Sequence, residues 1–270
     1  MQMNTYDKYQ NLSVEKSEGI ARLTLNRPDF RNAISHDTHC ELEQVWLDLS
    51  KDDEVKVIIF TGAGTTFSAG GDVKNMARRA GTVEGLKFAL RTPGDTKRLF
   101  QNLLEVRQPI VGAINGDCVG LGATLALFCD IAVIAETAKF GDTHVKVGLV
   151  AGDGGAVIWP MLVGPARAKD FLMRGRLISG AEAAEMGLFS YAAPAEGVME
   201  KAIDIAADLA RLPEHAVQWT KLSVNKGIKD NLNLILDASI AYEMLTLQTH
   251  DHKEAATAFA EKRRPVFNGY

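Results

Sequence analysis

The stretch FGDTHVKVGLVAGDGG, residues 140–155, sets one histidine, His144, and two acids, Asp142 and Asp153, among glycines and small apolar residues. An imidazole titrates near neutral pH and can serve as a general base. Asp153, in a glycine turn 9 residues beyond the histidine, is placed to orient that ring or to hold the water it activates, as the acid does in Ser-His-Asp systems. Two plainer readings stand beside this one: a core histidine tied to a backbone carbonyl, and an aspartate capping the helix that begins near Gly154. Asp142 reads as a turn residue. His36, His39, His215, His250 and His252 fall on predicted helices among polar neighbours, and surface positions account for them.

Two glycine-rich turns surround this candidate base. VKVIIF (55–60) is a buried strand that runs into TGAGTTFSAGGD and a helix from about Asp72, and PIVGAI (109–114) runs through NGDCVGLG into a second helix at ATLALFCD. A strand that passes through glycines to a helix N-terminus leaves backbone N–H groups unpaired, with the helix dipole favouring negative charge there. Two such turns converging near Gly71 and Leu121 would hold one oxygen between two N–H groups, the arrangement that stabilises an enolate or a tetrahedral intermediate. Each turn taken alone reads equally well as a simple change of direction. A dinucleotide site is excluded, because Gly62-Ala63-Gly64-Thr65-Thr66-Phe67 puts a phenylalanine where the third glycine of G-x-G-x-x-G must stand.

The remaining elements follow from periodicity. LSVEKSEGIARLTLNRP (12–28) reads as a hairpin about Glu18-Gly19. Ser35 caps a helix through about residue 50, with Leu42, Val45, Trp46 and Leu49 on its apolar face. Residues 76–105 are helical but interrupted at RTPGD (91–95) by Pro93 and Gly94. DIAVIAETAKFGD (130–142) gives two short strands, ISGAEAAEMGLFSYAAP (178–194) gives strand, helix, strand, and from 197 onward only helix remains. In the segment 231–249, Leu234, Ala238, Ala241 and Leu245 form one apolar face and Leu236, Ile240, Met244 and Leu247 another, as in a helix set between subunits. Strand, glycine turn and helix repeat, so the class is α/β with crossover connections.

Composition bounds the function. The chain has 270 residues, 46% hydrophobic and 24% charged, which suits one large domain or one domain with a small annex. A net charge of −4 offers no basic footprint for nucleic acid. Cys40, Cys118 and Cys129 form neither a disulfide framework nor a zinc site, and no histidine or acid cluster has metal-ligand spacing. With a polar start and no apolar run of ~18 residues, a cytoplasmic protein without a membrane segment is expected.

LNRPDFRNAI, TGAGTTFSAGGDVKNM, QPIVGAINGDCVGLGATLALFCDIAVIAETAKFG, GPARAKDFLMRGRLISGAEAAEMGL and FAEKRRPVF, in this order along the chain, together resemble the crotonase superfamily of enoyl-CoA hydratases and isomerases. The resemblance implies a spiral of ββα units over residues 1–196 and a helical trimerisation region over 197–270, assembled as a homotrimer or a dimer of trimers. It implies acyl-CoA substrates, with coenzyme A present as part of the thioester and no permanently bound cofactor. The family's oxyanion amides carry over to Gly71 and Leu121. The CoA-contacting segment carries over to Ala69, Gly71, Asp72, Val73 and Lys74, with Arg31 and a neighbouring subunit's Lys262 near the phosphates; plain surface charge is the other reading of these two.

The departure from the family is equally specific. Its hydratases use two glutamates, and the matching positions here are Thr124 and His144. Threonine has no pKa suited to acid/base work. His144 with Asp153, and the IWP that follows at 158–160, resemble the β-diketone hydrolase branch, which cleaves carbon–carbon bonds. Three readings follow: an acyl-CoA hydratase or isomerase, a carbon–carbon hydrolase working through His144 and Asp153, and a catalytically silent CoA-binding homologue.

Overall fold

The computed structural model describes residues 5–79 and 81–270, without the side chains of Lys74, Ala77 and Ala260. The chain opens on the expected hairpin, β1 (Leu12–Ser17) pairing antiparallel with β2 (Ile20–Leu25). Glu18 and Gly19 both take positive φ (52° and 80°), the paired left-handed turn whose twist matches that of the strands it joins.

From β2 onward the sheet is parallel. β3 (Val57–Gly62), β5 (Ile110–Ile114), β7 (Ile131–Ala135) and β10 (Tyr191–Ala193) follow one another in a six-stranded sheet ordered β1-β2-β3-β5-β7-β10. After β3, β5 and β7 the chain steps sideways into β4 (Thr66–Ser68), β6 (Asp117–Val119) and β8 (Lys139–Gly141). These three form a small second sheet, which β9 (Ile178–Ser179) completes by pairing antiparallel with β8. Each turn of the spiral thus lays one strand in each sheet before its helix, the ββα repeat expected from the sequence. β3 and β5 are buried along their whole length, as parallel strands covered on both faces must be.

α1 (His36–Ser50) starts where the sequence places it, with the Ser35 hydroxyl accepting the Thr38 N–H at 3.2 Å. Its apolar face, from Leu42 to Leu49, enters the main core. Ser35→Ala is expected to lower stability by about 1 kcal/mol, read as a fall of roughly 2 °C in thermal midpoint.

The expected break at RTPGD is corrected. α2 (Val73–Arg79) is short, and α3 (Val83–Glu105) then runs straight through Pro93 and Gly94. Proline costs a helix one backbone bond, but the buried Leu99, Phe100, Leu103 and Leu104 hold the downstream turns against the core. The Thr92 hydroxyl donates to the Phe88 carbonyl one turn back, at 2.9 Å. The interruption falls instead between α2 and α3, where Thr82 caps the second helix through the Gly85 N–H.

α4 (Leu121–Leu127) follows β6, and α5 (Gly155–Arg174) changes direction at Gly164 before α6 (Gly180–Glu185). The last three helices are α7 (Val198–Ala210), α8 (Glu214–Thr246) and α9 (His250–Glu261). α7 packs on β3, β5 and β7, α8 lies along α3 and α5, and α9 folds back onto α2 and the 3-10 turn His144–Val147. Leu236, Ile240 and Met244 of α8 and Leu247 just past its end are buried within the chain, whereas Leu234 and Leu245 are exposed at 79% and 67%. Among the described residues, no helix is long and apolar enough to cross a membrane.

The expectation that every histidine other than His144 sits at the surface is corrected for two of them. His39 is half-buried, and His252 of α9 is buried, because its ring faces the 3-10 turn and its Nδ1 donates to the Val147 carbonyl at 2.7 Å. Burial lowers the His252 pKa below the ordinary 6.5. Below that value the unfolded chain takes up protons that the folded chain refuses, so stability falls as the pH drops. His252→Gln is expected to lessen the loss of thermal midpoint between pH 7 and about 5.5 relative to the parent.

Candidate active site

β8 delivers the chain to Asp142 and then to the 3-10 turn that opens at His144. The Asp142 carboxylate, itself buried, accepts the His144 backbone N–H at 3.1 Å and lies 2.7 Å from ring Nδ1 through the same oxygen. The turn that positions the ring therefore also supplies its partner. Asp142, read from the sequence as only a turn residue, holds the histidine as well.

On the other edge of the ring, Nε2 lies 3.0 Å from Oδ2 of Asp153. Asp153 does not cap α5; the residue at that helix start is Gly154, which has no side chain and a φ of 104°. The aspartate instead accepts the Thr124 hydroxyl at 3.2 Å on Oδ1. Asp142, His144, Asp153 and Thr124 thus form one buried chain of hydrogen bonds. Ligand-capable atoms of Asp142, His144 and Asp153 lie within 4.8 Å of one another. However, the two carboxylates sit on opposite ring nitrogens, which clamps an imidazolium rather than converging on a single cation.

Burial alone would lower the His144 pKa, but the carboxylates of Asp142 and Asp153 outweigh it and hold the ring protonated well above the ordinary value. Glu243 of α8, a residue that carried no signal in the sequence, is buried beside this cluster. Desolvation and the nearby Asp153 push its carboxyl up to about 8, so it is mostly neutral at pH 7.

The glycine turns meet at the same place. An ideal Cβ built on Gly120 would lie 3.7 Å from the Gly70 Cα and 3.8 Å from Cε1 of His144. Gly70 and Gly120 both take positive φ (82° and 55°), which lets the two backbones approach. The parallel bridge from Ile34 uses the Gly70 carbonyl and the Asp72 N–H, so the N–H of Gly71 faces away from it. Leu121 is the first residue of α4, and neither its N–H nor that of Gly71 has an acceptor among the described residues.

Gly71, Leu121, His144, Asp153 and Glu243 line one cavity of about 840 Å³, its open mouth included. The far wall comes from α1 and α3, with His39 on the first and Phe88, Thr92 and Thr96 on the second.

An enoyl-CoA hydratase/isomerase family model matches residues 15–270. The chain belongs to that family. Within the enoyl-CoA hydratase/isomerase family it is 32% identical over 261 residues to a probable enoyl-CoA hydratase of Mycobacterium bovis, covering 96% of this chain and 98% of the relative. It is also 32% identical over 260 residues to a crotonyl-CoA hydratase of Syntrophomonas wolfei, with the same coverage. An enoyl-CoA hydratase/isomerase crystal structure from Mycobacterium paratuberculosis superimposes with a TM-score of 0.87 at 33% identity, over 93% of this chain and 99% of that one.

The other residues singled out in the sequence fall into two groups. Asp72 lines the cavity and caps α2, accepting from Asn75 N–H (3.2 Å) and Nδ2 (2.8 Å), and Val73 opens that helix. Ala69 donates its N–H to the Arg31 carbonyl at 2.9 Å, which ties the turn to the NRP segment. Arg31 and Lys262 lie outside the cavity. Arg31 is exposed and paired with Asp117 at 2.7 Å, and Lys262 is an exposed left-handed residue at the end of α9. The side chain of Lys74 lies outside the described residues.

Proposed function

We propose that the chain adds water to an enoyl-CoA thioester. The observation that carries this reading is that Asp153, paired with His144, lines a cavity together with Gly71 and Leu121, whose N–H groups have no acceptor among the described residues. The thioester oxygen sits between those two N–H groups, so negative charge gathers there as the enolate forms. Asp153 takes a proton from water as the hydroxyl joins the β-carbon. The same carboxyl then returns the proton to the α-carbon, which balances the addition. Asp142 holds the imidazolium on one edge, and the other edge lies 3.0 Å from Asp153, which fixes the carboxylate's place in the site.

Ala69, Asp72, Val73 and Lys74 line the path of the pantetheine and adenine, and Arg31 exchanges Asp117 for a CoA phosphate, with Lys262 of a neighbouring subunit nearby. The exposed face of α8 around Leu234, Ala238, Ala241 and Leu245 is covered in a homotrimer or a dimer of trimers. The test is direct: with crotonyl-CoA and longer or aromatic enoyl-CoAs, at least one 3-hydroxyacyl-CoA should form, and its formation should be lost in Asp153→Asn. Turnover of no enoyl-CoA in this panel would end the reading.

A second reading rests on the Asp142-His144-Asp153 clamp, in which both ring nitrogens of His144 meet a carboxylate. Here the same water gives its proton to Asp153 as its oxygen attacks a β-carbonyl, the carbon–carbon bond between that carbonyl carbon and the α-carbon breaks to leave a carboxylic acid and an enolate in the Gly71 and Leu121 hole, and Asp153 returns the proton to the α-carbon. Cleavage of a β-keto acyl-CoA or a cyclic β-diketone, lost in Asp153→Asn, with no hydration of any enoyl-CoA, would put this reading first.

A further inference from the structure

Two polar atoms among the cavity's lining residues remain unpaired after the chemistry above is assigned. They are Nε2 of His39, on α1, and Oε2 of Glu243, on α8; both are buried and have no hydrogen-bond partner among the described residues. The cavity lining they share includes the apolar Ile34, Met76, Phe88, Ile240, Met244 and Leu247, with Thr92, Asp95 and Thr96 of α3 among its polar members. A plain alkyl chain would fill this space and leave both polar groups desolvated without a partner, at about 1–3 kcal/mol each. A site that only had to accept hydrocarbon would be better lined by leucine at both positions.

We propose that the acyl group taken by this site carries an uncharged oxygen function, a hydroxyl or a ketone, in addition to the carbonyl held at Gly71 and Leu121, and that His39 and Glu243 hydrogen-bond to it. The charge states fit an uncharged partner. Burial depresses His39 to about 4, so the ring is neutral at pH 7 and offers one donor and one acceptor. Glu243, pushed up to about 8, is mostly a carboxylic acid there and can donate its proton to a carbonyl or hydroxyl oxygen. A buried site built to bond a substrate oxygen discriminates steeply against an analogue lacking it, since the site's own polar groups are then left unpaired.

This inference rests on the acyl-CoA reading, and binding to saturated thioesters, which cannot be hydrated, separates the two. Calorimetric titration would compare hexanoyl-CoA with its analogues bearing a hydroxyl or ketone at carbons 4 to 6, beyond the carbons at which the proposed reactions occur. At least one oxygenated ester should bind the parent protein ~10-fold or more tightly than hexanoyl-CoA, a modest figure for one good buried hydrogen bond. That preference should fall below about 3-fold in His39→Leu and in Glu243→Met, with hexanoyl-CoA binding unchanged or tighter. His39→Gln and Glu243→Gln, which keep polar atoms in place, should retain part of it and guard against a variant that fails to fold. Hexanoyl-CoA binding as well as every oxygenated ester, or a preference that survives in both apolar variants, overturns the proposal and leaves the acyl-CoA reading standing. Failure of every CoA ester to bind overturns both.

Discussion

Asp153→Asn is expected to lower turnover by about 10²–10⁴-fold with the fold intact, the range associated with losing a positioned proton-transfer group. Asparagine matches the shape of the carboxylate but keeps a single acceptor oxygen, enough for one of the two partners that aspartate holds on separate oxygens, the Thr124 hydroxyl at 3.2 Å and His144 Nε2 at 3.0 Å. What it cannot do is take a proton from water. Because the aspartate acts on the reacting water and not on CoA, the loss should fall on kcat, with KM nearly unchanged. His144→Gln removes the positive partner of the same base, so the double variant should be little worse than the poorer single one, as expected of groups that work as a unit.

The pH profile separates this arrangement from a free histidine base. A neutral imidazole base would show activity falling as pH drops through the ordinary 6.5. Here burial pushes the ring's pKa down, but Asp142 and Asp153 together raise it well above that value, so no histidine-dependent fall is expected as the pH drops through 6.5. The stability linkage runs the same way. A raised folded-state pKa gives stabilisation that is complete below the unfolded pKa and disappears as pH rises through the folded one. His144→Gln should therefore flatten the alkaline side of the stability curve.

Gly70→Ala is the second large expected effect. At φ 82° a side chain is strained, and its Cβ would lie 2.8 Å from the Val119 carbonyl oxygen, backbone that cannot swing aside. The strain costs about 1–3 kcal/mol, and the only relief is to part the two glycine turns. Parting them moves the Gly71 and Leu121 amides relative to each other, and losing one such donor costs about 10²–10³-fold in kcat. A cooperative melt only a few degrees below the parent, with turnover down at least ~100-fold, is the expected result. A folded Gly70→Ala protein with parental turnover would remove these turns from the mechanism.

Much of the scaffold was legible because its signals are local. The Glu18-Gly19 hairpin, the Ser35 cap and the repeated passage from strand through glycines to helix each declare themselves within a dozen residues, and the structure has them where they were expected. The same locality misled at Pro93, where the buried face of α3, from Leu99 to Leu104, outweighs one lost backbone bond. His144 and Asp153 stood out because acid/base types are conspicuous among glycines. Asp142 did not, since an aspartate two residues before a histidine looks the same whether or not it turns back onto the ring. Glu243 and His39 were invisible for another reason. Each lies on an ordinary amphipathic helix far from Asp153 in sequence, and only the packing of α8 and α1 brings them to the cavity.

The unbroken course of α3 has a further consequence. Phe88, Thr92 and Thr96, which face the cavity, share one rod with Leu99, Phe100 and Leu103, which are embedded in the core. The seven helical steps from Thr92 to Leu99 span about 10 Å, so a repacked core at the far end tilts the near end as a lever would. Acyl selectivity in this protein is therefore open to retuning from the interior, by substitutions that never meet the ligand.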